Sequence, residues 1–143
     1  MPDDSSKESM ERKLVSTGTP WEAIAGYSRV VRVGPFVYVS GTTAADTNGQ
    51  IQHPGDVYGQ ATYIYRKIEA SLQSVGATLK DVVRTRVYLT NMDEWQQSTR
   101  AHHDFFSEIR PANTLVEVSR LATADMLVEI EVDAVIANAG LSE

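Results

Sequence analysis

Apolar positions recur along this chain with two periods, and the switches between them mark out its elements. Arg29 to Val33 and Phe36 to Ser40 are short runs rich in Val, Phe and Tyr, joined at Gly34-Pro35; they predict two strands and a hairpin turn. Gly41 to Gly55, rich in Thr, Ala, Asp, Asn and Gly, predicts a loop, and Asp56 can cap the helix that follows. Val57, Ala61, Ile64, Ile68, Leu72 and Val75 fall at intervals of three and four, one face of that helix, and Gly76 closes it. From Val82 to Leu89 the period drops to two, with Val83, Thr85, Val87 and Leu89 on one face and Arg84, Arg86 and Tyr88 on the other. Asn91 followed by Glu94 resembles a capping box. Met92, Trp95, Thr99, His102, Phe106 and Ile109 then form a second helical stripe, which Pro111 stops. Asn113 to Val118 predicts a fifth strand. The clearest alternation runs from Leu127 to Ile136: Val128, Ile130, Val132, Ala134 and Ile136 face one way, Leu127, Glu129, Glu131, Asp133 and Val135 the other.

With a short first strand at Lys13 to Ser16, the order is β-β-β-α-β-α-β-β. Two helices fit one face of a six-stranded mixed sheet, an α+β layer. The other sheet face is left with Phe36, Tyr38, Leu115 and several charges. A partly apolar face without a covering layer predicts a subunit interface. Residues 1–12 are polar and read as a disordered tail, 13–137 as a single domain, and 138–143 as a C-terminal tail.

Composition narrows the function. The chain has 143 residues, 42% of them apolar, which suits one domain with one core. The net charge is −6, and an acidic surface repels phosphate backbones, so no nucleic-acid partner is expected. There is no cysteine, which excludes disulfides, thiol nucleophiles and thiolate metal ligands. With no apolar signal core and no apolar run of membrane-crossing length, the expectation is a cytoplasmic protein with no membrane partner.

Few residues here suggest chemistry by themselves. Glu129, Glu131 and Asp133 share a strand face, and like charges that close can raise one pKa toward general acid–base work. The plainer reading is that Arg84 and Arg86 neutralise Glu131 and Asp133 across the sheet. His102 and His103 are adjacent, so they do not share a helix face and make a poor metal pair; no third ligand has fitting spacing, and no metal site is predicted. His102 reads as a buried, hydrogen-bonded histidine rather than a catalyst. Ser40 precedes Gly41 at a strand end but lacks a nucleophile elbow, so a ligand hydrogen bond is the better role. Neither glycine-rich phosphate motif is present, and no cofactor is implied. Periodicity alone stops at an α+β oligomer of unknown activity.

Several segments in order resemble the reactive-intermediate (enamine/imine) deaminase family, also called YjgF/UK114 or Rid. Gly26-Tyr27-Ser28-Arg29-Val30-Val31 is similar to its G-P-Y-S-x-A/V segment, and Val37-Tyr38-Val39-Ser40-Gly41 to its strand ending in V-S-G. Asp81 to Thr90, read as DVVRTRVYLT, is very like D-V-V-K-T-x-V-F-L-T. Phe105-Phe106, Pro111-Ala112, Val116-Glu117-Val118, Arg120-Leu121 and Val128-Glu129-Ile130-Glu131 continue the match, which covers about Val15 to Ala137.

That resemblance implies a chorismate-mutase-like α+β subunit, two helices on one face of a six-stranded mixed sheet, assembled as a homotrimer. It also implies small-molecule sites in the clefts between subunits. Family members hydrolyse enamines and imines to 2-keto acids and ammonia without a cofactor. Carried over, Glu129 is the catalytic residue that positions the attacking water, while Tyr27, Ser40, Thr99 and Asn113 fall at substrate-binding positions. Two of these depart from the pattern. The family's arginine, which holds the substrate carboxylate, is Asn113 here, and an asparagine on the second helix is Thr99. Losing a guanidinium anchor costs on the order of 2–5 kcal/mol. The resemblance therefore implies an imine or enamine hydrolase with altered substrate preference, His102 being a reserve catalytic candidate. The alternative is a non-catalytic small-molecule-binding or chaperone-like trimer. Ribonuclease activity, attributed to some relatives, ranks third for so acidic a chain.

Overall fold

The computed structural model describes residues 11–137, so the tails expected at 1–12 and 138–143 lie outside it except for Glu11 and Arg12. Strands β1 (Arg12–Val15), β2 (Val30–Val33), β3 (Phe36–Thr42), β4 (Val82–Leu89), β5 (Ala112–Glu117) and β6 (Val128–Val135) form one sheet in the order β1-β2-β3-β6-β4-β5. Helices α2 (Val57–Gln73) and α3 (Trp95–Phe106) pack on one face of it. The pairings are antiparallel except β4 with β5, which is parallel. The α+β layer expected from the sequence is therefore the fold. Arg12 belongs to β1 and not to the tail.

The helix-side core is built by the alternation of β3, β4 and β6 meeting the stripe of α2. Val37, Ile64, Ile68, Leu72, Leu89, Val128, Ile130 and Val132 are all buried. Each such side chain contributes about 1.5–3 kcal/mol. Asp56 caps α2, its Oδ1 accepting from the Gly59 amide at 2.9 Å. Gln60 lies wholly buried on α2. Its Nε2 donates to the Asp125 carbonyl at 3.0 Å and its Oε1 accepts from the Leu127 amide at 3.0 Å, so the approach to β6 is tied to the helix.

Four expectations are corrected. A short helix, α1 (Pro20–Ala25), precedes β2; the Thr19-Pro20-Trp21-Glu22 run carries its start signal. In β4 the register shifts between Val82 and Arg84, so Val82 is buried and Val83 bulges outward and is exposed. On the second helical stripe Met92, Phe106 and Ile109 meet the core as expected, but Trp95 and Thr99 are exposed and the small residues Ser98 and Ala101 of α3 are buried in their place. Leu115 pairs with Val87 and packs against the helix-side core, not on the open face.

The sheet's other face carries Phe36 (44% exposed), Tyr38 (49%) and Leu14 (57%). Val31, the β-partner of both Tyr38 and Leu14, lies beside them. Arg86, Glu131 and Asp133 occupy the same face, with Arg86 3.6 Å from Glu131 and 3.1 Å from Asp133. Arg86 thus does the neutralising expected of two arginines; among the described residues Arg84 makes no ion pair.

Candidate functional site

Where β3 ends, its pairing with β6 breaks between Val39 and Thr42. The bulge turns the carbonyls of Ser40 and Gly41 away from the ladder and toward Arg29. Arg29 Nη1 donates to the Gly41 carbonyl at 2.7 Å, the Thr42 hydroxyl oxygen at 3.1 Å and the Ser40 carbonyl at 3.3 Å. Only 8% of Arg29 is exposed, and its guanidinium lies 5.8 Å from the centre of the Tyr27 ring. Gly41 also allows a close approach from β6: a Cβ at this position would stand 2.1 Å from Glu129 Oε2. A side chain at position 41 would have to displace the glutamate's carboxylate.

These groups open onto a cavity of about 250 Å³ lined by Tyr27, Arg29, Gly41, Lys67 and Glu129, with Thr17, Thr19 and Ala45 among its other walls. Glu129 is half-buried, and among the described residues its carboxylate has no hydrogen-bond or ion-pair partner. Burial pushes its pKa up, the neighbouring Glu131 charge adds to the rise, and Arg29 opposes it. Lys67, on α2, donates to the carbonyls of Thr43 and Ala45, both at 2.8 Å. Burial lowers its pKa to about 8, with Arg29 adding to the fall and Asp46 opposing it.

The Thr17–Thr19 wall is fixed by Glu22 of α1. This buried carboxylate accepts from the Thr19 hydroxyl at 2.6 Å, the Thr17 hydroxyl at 2.8 Å and the Thr17 amide at 3.2 Å. Burial works to raise the Glu22 pKa, but hydrogen bonds from Thr19, Ser16 and Thr17 outweigh it and hold the group down to about 2. A second cavity of about 270 Å³ adjoins the first and shares Thr17, Thr19, Arg29, Ala45 and Lys67 with it.

The sequence-derived candidates fall into two groups. Tyr27 and Glu129 line the cavity. The Ser40 hydroxyl beside it donates to the Ser28 carbonyl at 2.7 Å, and the neighbouring Gly41 supplies the wall. Thr99 and Asn113 line a separate recess of about 40 Å³, with His102, Val87, Ser98 and Leu115, which shares no residue with the first cavity. There Asn113 Nδ2 donates to Thr85 Oγ1 at 2.9 Å, and Thr85 Oγ1 lies 2.8 Å from His102 Nε2. All three groups are paired if Thr85 donates to Nε2, which leaves the His102 proton on Nδ1. Burial, with the neighbouring His103, lowers the His102 pKa and so disfavours the charged ring. It packs in an aromatic cluster with Tyr65 and Phe106. Arg29, Lys67, Gly41 and Glu22 were not among the candidates. Lys67 sits beside the apolar stripe like any solvated lysine, and no local motif sets it apart.

Comparison with known proteins matches residues 17–136 to the endoribonuclease L-PSP family. A RutC-family protein of Pyrococcus abyssi is 33% identical over 122 residues, covering 85% of this chain and 95% of that one. The 3-aminoacrylate deaminase RutC of Acinetobacter baylyi is 31% identical over 117 residues, covering 82% and 91%. The crystal structure of Rv2704 from Mycobacterium tuberculosis, described as a member of the YjgF/YER057c/UK114 family, superposes with a TM-score of 0.79. It is 43% identical and covers 87% of this chain and 99% of its own.

Proposed function

The chain belongs to the endoribonuclease L-PSP family, the YjgF/UK114 or Rid group, and from that premise we propose that it hydrolyses small imines or enamines, with Glu129 directing the attacking water. The observation that carries this reading is the half-buried Glu129 carboxylate, unpaired among the described residues, facing a cavity of metabolite size. A carboxylate made more basic by desolvation suits proton abstraction near neutral pH. As water oxygen bonds to the carbon of a protonated imine, Glu129 takes a water proton and passes it to the nitrogen. Collapse of the resulting carbinolamine returns the hydroxyl proton to Glu129, forms the carbonyl and expels ammonia. The deaminase activity named for the A. baylyi relative is of this class. The net charge of −6 argues against a phosphate-backbone substrate, whatever the family's descriptive name.

The assembly belongs to the same proposal. Tyr27 and Glu129 line the cavity, whereas Thr99, His102 and Asn113 line the recess beside β5, an edge of the sheet. An open face with Leu14, Phe36 and Tyr38 is available for burial. Both features support a homotrimer in which the cavity of one subunit meets the recess of the next. Sedimentation at micromolar concentration should give a trimer; a monomer would remove the shared cleft.

Asn113 favours a second reading, because its amide is committed to Thr85 and carries no charge. A non-catalytic binder would be stabilised thermally by a ligand that it never converts. Ammonia release from freshly generated imines decides between them. Turnover by the wild-type chain supports hydrolysis, and stabilisation without ammonia supports binding.

A further inference from the structure

Arg29 and Lys67 line the same cavity as Glu129, and neither has a carboxylate within 4.0 Å among the described residues. The acidic group that acts on Lys67 is Asp46. Its Oδ1 accepts from the amides of Asn48 and Gln50, both at 2.9 Å, and its Oδ2 from Gln52 Nε2 at 3.1 Å, so it is bound up in its own turn. Two cations thus act on each other across one cavity, Arg29 buried and Lys67 half-buried, and the acid there that feels the Arg29 charge is Glu129, not in contact with it. Removing one unpaired charge from water is already unfavourable.

Both groups also retain donors. Arg29 directs Nη1 at three protein oxygens, while Nε and Nη2 have no protein partner among the described residues. Lys67 uses two of its three N–H bonds. Backbone carbonyls hold both side chains in place, which fixes their charge at the cavity wall.

We propose that Arg29 and Lys67 form the anion anchor of this cavity, so that its ligand is a small molecule bearing a carboxylate although position 113 is uncharged. An anion between the two relieves their repulsion and completes their hydrogen bonds. The anchor rests on reading the cavity as the imine site, but its test does not require turnover.

The test is calorimetric titration with 2-oxobutanoate and its uncharged amide, 2-oxobutanamide, on wild type, Lys67→Met and Lys67→Arg. The wild type should prefer the carboxylate by roughly tenfold or more. Lys67→Met should bring the preference close to unity, and Lys67→Arg should keep it. A purely structural lysine pinning the Thr43–Ala45 loop would weaken both ligands alike and leave the preference intact; that result overturns the proposal. So does a wild type that binds neither ligand or prefers neither, a measurement that stands even if Lys67→Met does not fold. Carboxylate preference without ammonia release from imines would sink the hydrolase reading and leave the anchor standing.

Discussion

On the outward side of β6, Glu131 and Asp133 face Arg86, which lies 3.6 Å from one and 3.1 Å from the other, and Glu131 also accepts from the Tyr88 hydroxyl at 2.7 Å. Glu129, two residues before Glu131 on the same side, pairs in register with Tyr88 but meets no such partner among the described residues. Its carboxylate instead lies against Gly41 at the cavity wall. The three acids look alike in the alternation of the strand. Neighbours on adjacent strands separate them: a guanidinium makes two into surface electrostatics, and a glycine admits the third to a partly desolvated position.

The sharpest way to break this difference is Gly41→Ala. The new methyl would claim the place of the Glu129 carboxylate and push the flexible side chain away. Activity should fall by roughly 10²-fold, since a misplacement of about 1 Å costs that much. The melting temperature should barely move. The pH profile sharpens it further. A raised Glu129 pKa keeps the inactive acid form into higher pH, so kcat/KM should climb with pH through a pKa above the usual 4.5. Glu129→Gln should lack that limb, and Glu131→Gln should keep it.

Smaller effects test the supports. Glu22 is held down to about 2, so its contribution is present above the ordinary carboxylate range and is lost as pH falls toward 2. Glu22→Gln should reduce stability by about 1–3 kcal/mol in chemical denaturation, through the lost charge-assisted bonds to Thr17 and Thr19. Arg86→Met is expected to cost the isolated subunit least, about 1 kcal/mol or below, because its ion pairs are solvent-screened there.

The fold was legible because its signals are repetitive. The alternation of Val128 to Ala134 and the stripe from Val57 to Leu72 each state one face many times over. Single irregularities broke the reading: a one-residue bulge at Val83 reversed its side, and α3 turned its small residues inward. The candidate site was legible in part. Tyr27 and Glu129 carry the family pattern and share a cavity, but Lys67 comes from a helix 62 residues from Glu129 in sequence and meets it only through the tertiary fold. Asn113 and Thr99 line a different recess of the same subunit, a separation that no spacing within the sequence expresses.

The most direct measurement compares Glu129→Gln with Glu131→Gln in ammonia release from freshly generated imines, each variant checked for its assembly and melting temperature. The account predicts that Glu129→Gln loses roughly 10²-fold or more of the activity with its fold intact, while Glu131→Gln remains within a few-fold of wild type. Equal losses in the two variants, or full activity in Glu129→Gln, would contradict it.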